Sequence, residues 1–128
     1  MAEPVIAFPG RQGLGGVEAI DAAGQSFSIH EWRGSGPATL HVHYEDDEAW
    51  HVLEGTMRFR FADREIEAPA GATVFVPAGV PHTYEADDAR YLIILTPRLR
   101  DLIAELHQSP DPKAHGEIYR KYRSELLE

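Results

Sequence analysis

Residues 39–61, TLHVHYEDDEAWHVLEGTMRFRF, decide the fold that this sequence predicts. Apolar and polar residues alternate along three short runs of this stretch, which is the pattern of half-buried β-strands. The runs are 39–44, 48–53 and 56–61. Acidic residues at 45–47 and the pair Glu54-Gly55 separate them, as turns between strands do. The stretch therefore predicts three consecutive strands joined by tight turns.

The strand pattern continues on both sides of this stretch. The other predicted strands are residues 26–32, 65–68, 72–76, 82–85 and 90–96. In the first of these, we expect Phe27 and Ile29 on the apolar face and Ser28 and His30 on the polar face. Many short, evenly spaced strands predict an all-β sandwich or barrel.

The last quarter of the chain has a helical pattern. Residues 98–107 carry Leu99, Leu102, Ile103 and Leu106 on one stripe at helical spacing, and residues 116–127 carry a looser amphipathic pattern. We expect both helices to be packing elements rather than functional ones. The predicted organisation is one domain, with a β-barrel including N-terminal strands over residues 1–97 and a helical extension over residues 98–128.

Composition narrows the possible partners of the protein. The 128 residues are 43% apolar and 26% charged, as in one globular domain. The net charge of −9 disfavours nucleic-acid binding, and no apolar run is long enough to span a membrane. Because cysteine is absent, disulfides and thiolate metal sites are excluded, which is compatible with a cytoplasmic location. We expect a cytoplasmic protein with a small-molecule partner.

Three histidines and one glutamate form a candidate metal site. His41 and His43 are two residues apart on a predicted strand and therefore share one face. Glu48 opens the returning strand, and His82 follows a Gly/Pro-rich loop at 77–81. Three imidazoles and a carboxylate suit one divalent transition metal (Fe, Mn, Ni, Cu, Co or Zn), and an octahedral ion would keep two positions open. Taken singly, each residue has a plainer interpretation as a surface histidine or a solvated acid.

The spacing of these residues resembles the two motifs of the cupin superfamily. Residues 36–55, GPATLHVHYEDDEAWHVLEG, resemble G-x5-H-x-H-x3–4-E-x6-G, and residues 71–82, GATVFVPAGVPH, resemble G-x5-P-x-G-x2-H-x3-N. The first glycine is displaced to Gly36 or Gly34, and Ala86 replaces the asparagine. The resemblance implies a double-stranded β-helix, that is, a jelly-roll-type barrel with two C-terminal helices here. It also implies metal ligation by His41, His43, Glu48 and His82. In its length and in the order of its elements, the chain is similar to small bacterial single-domain cupins of the quercetin dioxygenase type.

Further residues are candidates for a substrate pocket. Strand alternation places Trp50 beside Glu48 and Tyr84 beside His82, and it directs Phe59 and Phe61 to the same cavity. Each of these residues is interpreted either as barrel core or as pocket lining. If the site is catalytic, we expect Glu48 to act as a ligand or a base and Tyr84 to orient the substrate.

The sequence leaves three functions open. The first is an oxygenase-like enzyme that acts on a small organic molecule. The second is a non-redox isomerase or lyase that uses the ion as a Lewis acid. The third is a non-catalytic binding protein. The apolar run at 91–95 and the pair Val52-Leu53 also predict a homodimer.

Overall fold

The computed structural model describes residues 3–8, 19–34, 36 and 39–128. The strands of these residues are β1 (Asp21–Ala23), β2 (Ser28–Arg33), β3 (His41–His43), β4 (Glu48–Glu54), β5 (Thr56–Phe61), β6 (Glu65–Pro69), β7 (Thr73–Val76), β8 (His82–Glu85), β9 (Arg90–Leu95) and β10 (Ser124–Leu126). The helices are α1 (Pro97–Gln108) and α2 (His115–Lys121), with a 3₁₀ turn at Pro112–Ala114 between them.

The strands form two five-stranded antiparallel sheets that face each other. One sheet has the order β1-β2-β9-β4-β7, and the other has the order β10-β3-β8-β5-β6. Inward side chains alternate with outward ones: Trp50 and Val52 of β4 and Met57 and Phe59 of β5 are fully buried, whereas Arg58 is exposed. The predicted all-β jelly-roll barrel with two C-terminal helices is confirmed.

The end of the chain differs from the prediction. Residues 116–127 were expected to be helical, but α2 ends at Lys121 and Arg123 adopts a left-handed conformation with φ of 58°. The chain then forms β10, which pairs antiparallel with β3. An unpaired edge leaves backbone donors and acceptors free, so pairing with β3 outweighs the local helical pattern. The helical extension therefore also contributes a strand to the barrel.

The faces of β2 are the reverse of those predicted. Ser28 and His30 are buried, while Phe27 is 55% exposed. His30 lies between two partners, with Nδ1 2.6 Å from Asp21 Oδ1 and Nε2 2.9 Å from Ser28 Oγ. Because the buried polar groups hydrogen-bond one another, the cost of burying them is offset and the polar face of β2 can face inward.

The first turn of helix α1 is fixed by a cap and by an ion pair. Thr96 caps its N-terminus by accepting a hydrogen bond from Leu99 N at 3.2 Å, and Pro97 occupies the first turn. Arg98 donates to the buried Asp46 at 3.2 Å, which ties the helix to the β3–β4 turn. Neither helix in the described ranges has the length and apolarity needed to cross a bilayer.

Candidate metal centre

The four predicted metal ligands converge inside the barrel. His41 and His43 project from β3, Glu48 from the start of β4 and His82 from the start of β8. His41 and His82 are directly paired across β3 and β8. All four side chains are buried, and one candidate ligand atom from each lies within 4.8 Å of the others.

Backbone carbonyls fix the orientation of two imidazoles. Nδ1 of His41 donates to Thr39 O at 2.9 Å, and Nδ1 of His82 donates to Val80 O at 2.9 Å. Since a carbonyl oxygen can only accept, Nδ1 carries the proton in both rings. The remaining nitrogen, Nε2, is therefore the atom that each ring offers to the centre. A metal-bound histidine typically donates its other N–H in this way.

The third imidazole is oriented by a side chain from the end of the protein. Nδ1 of His43 lies 2.7 Å from Ser124 Oγ, and the same hydroxyl donates to Tyr122 O at 3.3 Å. Because Ser124 uses its proton for the carbonyl, its oxygen accepts from His43. All three rings thus offer Nε2 to the cluster, and β10 supplies part of that arrangement.

The contacts with Glu48 suit a bound cation. Its Oε1 lies 3.3 Å from His43 Nε2 and 3.1 Å from His82 Nε2. When these rings are neutral, their lone pairs face the lone pairs of a carboxylate, which is repulsive unless a cation lies between them. An ion bound at about 2.0 to 2.2 Å would bring opposite ligands to about 4.2 Å. The present spread of 4.8 Å needs only a small contraction to match that distance.

At two of the four ligands, the electrostatics favour the protonation state that a metal requires. Burial, together with the neighbouring His82 and His43, lowers the pKa of His41 from 6.5 to about 3. Burial alone would raise the pKa of Glu48, but the positive charge that His43 and His82 can place against it across these short contacts lowers it to about 2. With the rings neutral, a bound cation would supply that positive charge instead. The centre therefore holds a neutral imidazole at His41 and an ionised carboxylate at Glu48.

A cavity of about 530 Å³ opens directly onto this cluster. His41, His43 and Glu48 are part of its lining. Helix α1 contributes an apolar wall, and aromatic side chains form much of the rest: Trp32, Tyr84, Tyr91 and Tyr119. The size is in the range typical of sites for small organic ligands.

The predicted pocket residues are divided between the cavity and the core behind it. Tyr84 lines the cavity, and burial raises the pKa of its hydroxyl well above the usual value. Trp50 and Phe59 are fully buried outside the lining, where the Trp50 ring packs 5.6 Å from His82 and 5.1 Å from Phe59. Phe61 is half-buried beneath Arg64.

Three features of the site were not predicted from the sequence. Helix α1 was expected only to pack, yet its apolar stripe lines the cavity. The Tyr119 ring of α2 lies 5.4 Å from the His41 ring and parallel to the His43 ring at 6.4 Å. Ser124 orients His43. The stripe of α1 was visible in the sequence, whereas nothing local marked Tyr119 or Ser124.

Solved structures share this fold at low sequence identity. Protein NMB1881 from Neisseria meningitidis is 23% identical, with a TM-score of 0.51 over 62% of this chain and 82% of its own. KdgF from Halomonas sp. is 16% identical, with a TM-score of 0.55 over 72% of this chain and 90% of its own. No curated protein matches the chain.

Residues 28–96 match the model of the cupin domain. The matched segment runs from β2 to the end of β9 and contains all four residues of the cluster. It spans more than half of the chain, and its buried cluster of three histidines and a glutamate fits a metal site in that fold. The chain therefore belongs to the cupin domain family.

Proposed function

We propose that this cupin is an oxygenase-like enzyme that binds one divalent transition metal ion and acts on a small organic molecule. One observation carries the proposal: the ligand atoms of the buried cluster converge, and three of its four residues also line an open cavity of about 530 Å³. His41, His43, Glu48 and His82 would hold the ion. A structural site has no need of such a chamber, whereas a catalytic ion needs an open side.

The protein's own residues have distinct roles in this proposal. Glu48 contributes the negative charge of the centre, and the three imidazoles are held by hydrogen bonds at Nδ1. Tyr84 at the cavity wall orients the substrate, and the apolar side of the cavity excludes water. When bound, a redox-active ion such as Fe or Mn supplies oxygen chemistry, and any of the candidate ions supplies Lewis acidity.

Oxygen uptake tests the proposed reaction class. We expect protein loaded with Fe, Mn, Ni or Cu to consume dioxygen steadily in the presence of a flavonol or a diketone. The His82→Ala variant should lose this activity. Full turnover under nitrogen with Zn or Mn would instead show a non-redox isomerase or lyase. Tight ligand binding without turnover in either atmosphere would show a binding protein.

A homodimer is part of the proposal. An apolar row crosses the outer face of one sheet, because Ile29 and Ala49 both pair with Ile94, and Ala49 pairs with Phe75. Phe75 is 63% exposed, although it is a large apolar residue. Light scattering should show a dimer that Phe75→Glu dissociates, and a monomeric unmodified protein would refute the homodimer.

A cytoplasmic location stays a prediction, which cell fractionation tests.

A further inference from the structure

The lining of the cavity combines polar and apolar side chains. His41, His43 and Glu48 of the cluster belong to the polar part. Arg33, His107 and His115 are further polar residues of the lining. Most of the other lining residues are aliphatic or aromatic, so the cavity also has an apolar section.

Helix α1 supplies the aliphatic core of that apolar section. Leu99, Leu102, Ile103 and Leu106 all line the cavity. Leu99 and Leu102 are only 1% exposed and also belong to the core, whereas Ile103 and Leu106 remain partly exposed. An apolar side chain left partly exposed inside a concave site gains free energy when a ligand removes it from water.

Aromatic side chains from the sheet add to the uncharged lining. Trp32 of β2 and Tyr91 of β9 stand on adjacent paired strands. The Trp32 ring lies 6.5 Å from the His107 ring near the end of α1, so the helix and the sheet approach each other at this part of the cavity. The apolar section is thus built by both the helix and the sheet, and it belongs to the same cavity as the cluster.

We infer that the substrate is amphipathic, with a metal-chelating oxygen head group at the histidine cluster and an apolar body that lies along α1. This inference rests on the proposed function, because the head group needs a bound ion. The body is the new element: a compact polar substrate, such as a small sugar or a short hydroxy acid, would leave the apolar section in contact with water. The residues that select the body are Ile103 and Leu106.

Chain-length dependence of hydroxamate binding tests the inference. Hydroxamates chelate divalent ions through two oxygens, so acetohydroxamic acid probes the head group and octanohydroxamic acid probes head and body together. Each buried methylene is worth roughly a fourfold gain in affinity, so burying half of the added chain gives about a sixtyfold gain. Isothermal titration of the Mn-loaded protein measures both affinities.

Two variants of α1 and one control locate the effect. Ile103→Asn should weaken octanohydroxamic acid about tenfold or more, through the lost apolar contact, and leave acetohydroxamic acid unchanged. Leu106→Trp should also weaken only octanohydroxamic acid, because the larger side chain fills the apolar section of the cavity. Ala104→Asn introduces the same residue at the exposed neighbouring position and should change neither affinity.

The outcomes separate the inference from the proposed function. Equal affinities for the two hydroxamates in metal-loaded protein would overturn the apolar body while leaving the metal site intact. An equal loss in Ala104→Asn and Ile103→Asn would also overturn it. If the protein takes up no metal, the proposed function fails. In that case octanohydroxamic acid is titrated into the metal-free protein. An absence of binding would then also overturn the inference that the apolar section of the cavity binds an apolar body.

Discussion

Substitution of Ser124 by alanine should weaken metal binding from a distance. Ser124 is 2% exposed and holds the His43 ring by accepting from Nδ1 at 2.7 Å. Ser124→Ala leaves a buried N–H without an acceptor, which costs about 1 to 3 kcal/mol. His41 and His82 are held by backbone carbonyls, so His43 is the ligand whose orientation a side-chain substitution can release.

The expected loss of metal affinity can be given a magnitude. Removing the hydrogen-bond partner of a ligating histidine typically costs about tenfold to hundredfold in affinity. That range corresponds to about 1.4 to 2.7 kcal/mol of the stabilisation that the metal gives at saturating concentration. Competition with a chromophoric chelator measures the affinity, and thermal unfolding with and without metal measures the stabilisation.

Glu125→Ala is the matched control for this experiment. Glu125 is the next residue of β10 and accepts a hydrogen bond from Tyr44 on the exposed surface. Its removal disturbs the same edge strand but touches no histidine of the cluster, so metal affinity should not change. Unchanged affinity in Ser124→Ala, or an equal loss in Glu125→Ala, would refute a specific role for the hydroxyl on His43.

Two further predictions concern the carboxyl end of the chain and the wall of the cavity. Hydrogen bonds from Arg60 and from the backbone of Leu40 lower the pKa of Glu128 from 4.5 to about 2. Because the folded value is the lower one, this stabilisation is present above pH 4.5 and is lost as the pH falls towards 2. The difference in melting temperature between metal-free wild type and Glu128→Gln should therefore shrink over that range, and a constant difference would refute the assignment. Gly36→Ala should lower the melting temperature, since its Cβ would lie 2.1 Å from the Tyr84 ring; an unchanged melting temperature would show that Gly36 does not pack there.

Local patterns were sufficient to predict most of the barrel, and the resemblance to the cupin motifs predicted the cluster. The alternation in 56–61 and the returns at Glu48 and His82 are properties of neighbouring residues, and β4, β5, β6, β8 and β9 begin at the predicted residues. Strands β2 and β3 begin two residues later than predicted, β7 begins one residue later, and β1 was not predicted. The four ligands were predicted because their spacing follows the two cupin motifs. Two of them, His41 and His43, share one strand face, and the other two, Glu48 and His82, begin strands. These features need no knowledge of distant contacts.

The mistaken or missing elements depend on contacts between distant residues. Strand β10 exists because β3 offers a free edge, and the sequence of 124–126 contains no sign of that edge. The inward face of β2 depends on Asp21, which comes from the neighbouring strand β1 and bonds His30. The stripe of α1 showed that the helix covers something apolar, but only the fold shows that it covers a cavity at the cluster.

Metal content of three histidine variants tests the central claim most directly. Elemental analysis of the purified wild-type protein should find about one transition metal ion per chain. His41→Ala and His82→Ala should each lose it, whereas His51→Ala should retain it, because His51 points outward and bonds Thr73 Oγ1 at 2.7 Å. A wild-type protein that binds no transition metal, or an equal metal content in all three variants, would contradict the account.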